Sequence, residues 1–119
     1  MPDLMVETRV VGDVTVISPQ GFINAHTVRE FEQALSEARA GGNQKILING
    51  SGLAYIASAG LGVIMGLIED VRGEGGDIRL AELNDTVRNI FEVLGFNHLC
   101  KVLPSEQDGV ASYEAEPAG

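Results

Sequence analysis

The chain has 119 residues and a formal charge of −9, with 45 % hydrophobic and 21 % charged residues. That suits one domain with an aliphatic core, since tryptophan is absent and aromatics are only 5 %. The charge disfavours nucleic acid and anionic membrane partners, and a single cysteine, Cys100, excludes an intrachain disulfide or a multi-cysteine zinc site.

The N-terminus reads as a hairpin. Met5 to Val10 alternates loosely, Gly12-Asp13 marks a turn, and "VTVIS" (Val14 to Ser18) is β-branched. Pro19 and Gly21 are expected to break the second strand. The segment "NAHTVREFEQALSEARAGG" reads as a helix, with Thr27 and Glu30 in a capping-box pattern and Val28, Phe31, Leu35 and Ala38 on the apolar face. "KILIN" (Lys45 to Asn49) has the continuous apolar character of a strand buried on both faces. Gly50 to Tyr55 reads as a connection.

A second helix is expected from Ser58 to about Arg72, with Ser58 as its N-cap and Gly73, Gly75 and Gly76 at its end. Met65 is expected in the core, and Tyr55 in the core or on a rim. Gly62 and Gly66 share a helix face. Tight packing on the sheet is expected for Gly66, whereas Gly60 suits either close packing or an open surface beside Ser58. "DIRLAEL" returns as a strand. "NDTVRNIFEVLG" reads as a third helix, capped by Asn84 or Asp85, with a stripe of Val87, Ile90, Phe91 and Leu94. "KVL" makes a last short strand. Ser105 and Asp108 announce a terminal helix, and residues 113–119 are expected as a flexible tail of one domain spanning 1–119. Strands and helices alternate after the hairpin, which implies an α/β fold with a mixed, mostly parallel sheet and about four helices. The N-terminus lacks the apolar run of a signal peptide, and the Ala57 to Ile68 run is too short to span a bilayer, so a cytoplasmic protein is expected.

The chemistry concentrates at Ser58. A helix start is electropositive and offers free N–H groups, so a phosphate placed there would be tolerated by the fold. A partner covering it would not tolerate about two added negative charges. Two other readings are weaker. "IASAG" lacks the first glycine of a nucleophile elbow, and neither His26 nor His98 has an evident orienting acid. Gly60, Gly62 and Gly66 miss the spacing of a dinucleotide fingerprint, which leaves a weak nucleotide-binding module as an alternative. No metal site, cofactor or catalytic residue is expected.

The stretch "ILINGSGLAYIASAGLGVIMGL" resembles the core of STAS domains, the anti-sigma-factor antagonists, whose pattern is a buried strand and then Asp-Ser-Ser-Gly-Leu-Gly opening a helix. "PQGFINAHT" is similar to the family's Gly-x-Leu-Asp loop, and "IRLAELNDTVRNIFEVLGFNHLCKVLPSEQDGV" to its closing half. The resemblance implies a STAS fold and an antagonist that binds a kinase-type anti-sigma factor, which frees the sigma factor. The kinase would phosphorylate the serine matched by Ser58, and a phosphatase would reset it. It implies a partner surface of Ala57, Ser58, Ala59, Gly60 and Leu61, flanked by Asn24, His26 and Thr27, with Asn49 and Ser51 nearby. The acids that the family often carries are replaced here by Asn24, Asn49 and Ala57. The alternative within the resemblance is an unphosphorylated STAS scaffold or regulatory subunit in another assembly.

Overall fold

The computed structural model describes residues 3–42 and 44–114. Strand β1 (Leu4–Val11) turns through Gly12 and Asp13 into β2 (Val14–Ile23), and the two pair antiparallel along all of β1. Gly12 takes φ +64°, as a two-residue hairpin turn requires. β2 continues past Ser18, so Pro19 and Gly21 do not end it. Pro19 falls between two pairings on one edge of β2. Thr15 to Ile17 meets β3 (Lys45–Asn49), and Gly21 to Ile23 meets β4 (Leu53–Ile56). No ladder bond is asked of the N–H that proline lacks. Gly21 lies at a register shift with φ +117°, where a Cβ would collide with the Asp3 carbonyl.

β4 stands where the sequence suggests only a connection. It pairs parallel with β2 through Gly21–Leu53, Phe22–Tyr55 and Ile23–Ile56. The sheet otherwise runs β1-β2-β3-β5-β6, with β5 (Asp77–Ala81) and β6 (Val102–Leu103) parallel to β3. Helices α1 (Val28–Ala40), α2 (Ser58–Gly73), α3 (Asp85–Val93) and the single turn α4 (Phe96–Leu99) enclose the larger core, which includes Phe31, Leu35, Ile64, Ile68, Val87 and Phe91. On the third helix Leu94 lies outside the stripe, 57 % exposed.

Helix α5 (Glu106–Glu114) covers the other face. It packs Tyr113 among Val14, Val16, Leu47 and Ala81. The expected tail therefore begins too early. Tyr113 is buried, its hydroxyl lies 2.6 Å from Ile46 O and 2.7 Å from Asp77 O, and the Arg79 guanidinium stacks 4.0 Å from its ring centre. Residues 115–119 lie outside the described residues.

The caps are mixed. Asn84 Oδ1 accepts from Val87 N at 2.8 Å, and Ser105 Oγ accepts from Asp108 N at 3.1 Å, as expected of their positions. Thr27 makes no side-chain cap bond on α1. Its hydroxyl donates to Phe22 O instead, at 2.7 Å.

Candidate functional site: the start of the second long helix

β2 and β4 end side by side, and their ends build the site. Ile23 and Ile56 are paired and buried beneath α2. Ala57 N then donates to Ile23 O at 2.8 Å, which fixes where α2 begins. Ala57, in extended conformation, is the N-cap, so Ser58 is the first helical residue and not the cap. The Ala57 methyl cannot accept a hydrogen bond, so the N-cap side chain satisfies none of the first-turn N–H groups; Gly60 N and Leu61 N donate to Ala57 O at 3.0 and 3.3 Å, and no acidic residue lies in that turn. The positive end of the helix has no acidic residue in its own first turn to offset it, and Ser58 there is exposed. Ser58 is exposed, and no hydrogen bond engages its hydroxyl among the described residues.

The loop between β2 and α1 adjoins this point. Asn24 Oδ1 accepts from His26 N at 2.8 Å and from Thr27 N at 3.2 Å, while Asn24 N donates to Thr27 Oγ1 at 2.9 Å. The asparagine performs the turn-forming role open to an aspartate, without the charge. Asn24 is half-buried, His26 is exposed, and Thr27 is buried within the turn it builds.

The other expected contacts separate. Gly60 and Leu61 point into the fold. A Cβ at Gly60 would stand 2.6 Å from Ile23 Cγ2 and 2.8 Å from Ile56 Cγ1, and Leu61 is buried. Gly60 is therefore the close-packed glycine. Gly62 and Gly66 face open space, which reverses the expectation for Gly66. With Ser58, Met65 and Glu69 they form the outer face of α2, at helical spacing. Met65 is 56 % exposed and is not a core residue.

Asn49 and Ser51 do not join Ser58. They precede β4, and its four residues place about 13 Å of strand between them and the helix start. Asn49 is buried; its Nδ2 donates to Glu106 Oε1 at 2.9 Å, and its Oδ1 accepts from Ser51 N at 2.9 Å. Glu106 is also ion-paired with Arg9, and its backbone N donates to Glu82 Oε2 at 2.8 Å. Glu82 reaches that position with φ +58°. The Arg9 guanidinium holds the Glu106 carboxyl below its usual range. Asn49 thus helps fasten α5.

Two further exposed aromatic residues stand on the strands that lead into the site. Phe22 and Tyr55 pair across β2 and β4 and are 51 % and 44 % exposed. Tyr55 walls a shallow depression with Asp85, Thr86, Asn89 and Ile90. Tyr55 precedes the buried Ile56 on the strand and takes the opposite side.

Residues 5–109 match the family model described as the STAS domain. The chain belongs to the STAS family. Among its relatives is BtrV of Bordetella bronchiseptica, named for anti-sigma factor antagonism, 30 % identical over 95 residues that cover 80 % of this STAS chain and 82 % of BtrV. Two solved structures share the fold. An anti-sigma factor antagonist from Mycobacterium paratuberculosis superposes with TM-score 0.85 at 21 % identity, covering 94 % of this chain and 96 % of its own. SpoIIAA of Bacillus in its unphosphorylated form gives 0.76 at 22 % identity, covering 96 % and 98 %, and it has also been solved phosphorylated. Among the described residues of the STAS domain, no cluster of three His, Cys, Asp or Glu side chains could hold a metal ion, and no helix is long and apolar enough to cross a membrane.

Proposed function

We propose that this STAS domain is an anti-sigma factor antagonist whose docking surface is the start and outer face of α2, and that phosphorylation of Ser58 switches it off. The observation that carries this is the exposed, unbonded Ser58 hydroxyl at a helix start with neither a side-chain cap nor an acid in its first turn. A phosphate on that oxygen would find free N–H groups and the positive helix end, so the domain itself accepts it. A protein lying over Ser58, Gly62 and Met65 would have to bury the same charge and would dissociate.

The surface suits such a partner. Gly62 and Gly66 let another backbone approach, and Met65 adapts to what it meets. His26 and the Asn24 amide lie on the flanking loop. Replacing acids by Asn24 and Ala57 lowers the attraction for a basic kinase face, so contact here depends more on shape than on charge. The partners would be a serine kinase that is itself the anti-sigma factor, and a phosphatase that resets the switch. The exchange would take place in the cytoplasm.

The test uses a co-encoded ATPase of the histidine-kinase-like type. Labelled ATP should transfer phosphate to the wild-type chain and not to Ser58→Ala. Ser58→Asp should weaken binding about a hundredfold or more while leaving the melting temperature unchanged. Binding that survives Ser58→Asp, with no phosphate transfer, would replace the switch with a constitutive scaffold.

A further inference from the structure

The free edge of β1 carries a sequence complementary to itself. β1 is the terminal strand of the sheet, eight residues long, with no proline and a register that runs without interruption. Proteins usually blunt such an edge with prolines, bulges or like charges. Here the centre reads Met5-Val6-Glu7-Thr8-Arg9-Val10-Val11, with opposite charges placed symmetrically about Thr8. Met5 and Val10 are 56 % and 59 % exposed.

One backbone bond fixes the hydrogen-bonding parity of β1. Phe22 N donates to Asp3 O at 3.0 Å, one step beyond the Leu4–Gly21 pair. Odd-numbered residues of β1 therefore exchange bonds with β2, and Val6, Thr8 and Val10 aim their N–H and C=O groups away from it. The two-residue turn closed by Val11 and Val14 has the same parity.

We propose that β1 pairs antiparallel with β1 of a second copy, about a two-fold axis through Thr8. In this register Thr8 meets Thr8 and Val6 meets Val10, so the outward-directed groups face each other in about six backbone hydrogen bonds. Glu7 meets Arg9 in both directions, and Met5 meets Val11. Moving the register two residues either way sets Glu7 against Glu7 or Arg9 against Arg9, which disfavours both alternatives. Glu7 has no ion-pair partner among the described residues of its own chain, and Arg9, though paired with Glu106, keeps a side chain 49 % exposed. The larger core packs against Val6, and the second core against Val11, so the paired sheets would present matching faces. None of the Ser58 surface is used. The charge of −9 on each copy opposes association, and at 0.15 M salt it is screened beyond about 8 Å.

Sedimentation velocity from about 1 µM to about 1 mM at 0.15 M salt tests this. The wild-type chain should pass from monomer to dimer. Glu7→Arg should weaken the dimer about tenfold or more by facing Arg9 with a like charge. Thr8→Pro should abolish it without changing the melting temperature, because the β2 ladder does not use the Thr8 N–H. Should Thr8→Pro fail to fold, Glu7→Arg decides. Oxidised Thr8→Cys should link two chains, since facing Cα atoms in this pairing stand about 5.5 Å apart. A wild-type chain that stays monomeric throughout, a dimer indifferent to Glu7→Arg, or a dimer that Thr8→Cys fails to link would overturn the proposal.

Discussion

Asn49 Nδ2 donates to Glu106 Oε1 at 2.9 Å, and the same carboxylate is ion-paired with Arg9. The family's usual acid at this strand end would set two carboxylates against each other beside one arginine. Asn49→Asp should lower stability by about 1–2 kcal/mol at neutral pH, through like-charge repulsion and a lost donor. Thermal melts at pH 7 and pH 4 would show the deficit shrinking in acid, where one carboxyl takes up a proton.

Glu106 should also leave a mark on the acid limb of stability. Its carboxyl lies below its ordinary value of 4.5, chiefly because Arg9 bonds the charged form. A depressed carboxyl binds fewer protons folded than unfolded near that pH, so its contribution is complete above 4.5 and fades as pH falls through the folded value. Glu106→Gln should be less stable at pH 7 and should lose less on acidification than the wild-type chain. Denaturant midpoints at pH 7, 5 and 3 measure this.

The glycines of α2 should respond with opposite signs. Gly60→Ala forces a methyl to 2.6 Å from Ile23 Cγ2, which should cost about 1–3 kcal/mol. Gly62→Ala and Gly66→Ala place a methyl in open space and remove a flexible helical residue, which should stabilise by up to about 1 kcal/mol each. Chemical denaturation reads all three. If the outer face of α2 is the docking surface, a bulkier Gly62→Leu should leave the fold intact and weaken the partner complex.

Thr15 on β2 is 2 % exposed, and its hydroxyl has no hydrogen-bond partner among the described residues. Thr15→Val keeps the shape and removes the stranded polar group. It should stabilise by about 1 kcal/mol, seen as a higher denaturant midpoint with an unchanged slope.

Cys100 should be inert in the native protein. Burial pushes its thiol up from 9.0 to about 11, so at pH 8 it should resist alkylation until the chain unfolds. The folded state retains the proton longer than the unfolded one. Its contribution is therefore complete below pH 9 and disappears as pH rises to about 11, a loss of roughly 2–3 kcal/mol.

Much of this architecture was legible because its signals are local. The hairpin, "KILIN" and the Asn84-capped helix each follow from side-chain period or turn chemistry. β4 is hidden because a strand of four residues is too short to show a period, and because its partner stretch on β2 lies beyond a proline that reads as a stop. Without β4, Tyr55 has no assigned face, and only the family resemblance carries Asn49 and Ser51 towards Ser58. Tyr113 was placed in a tail because its ties to Ile46 O and Asp77 O are long-range. Ser58 itself was located to within one residue, since the apolar run and the glycines bracket it.

β2 serves β3 and β4 in succession along one edge, and only Gly50, Ser51 and Gly52 lie between those two partners. That tripeptide is a ruler. Inserting or deleting one residue in it would slide the following strand by one step, turn Tyr55 inward and Ile56 outward, and swing the Ser58 hydroxyl away from its present aspect. Length variation ought to be rejected there even though two of the three residues are glycine and Ser51 and Gly52 are exposed, as in a permissive loop.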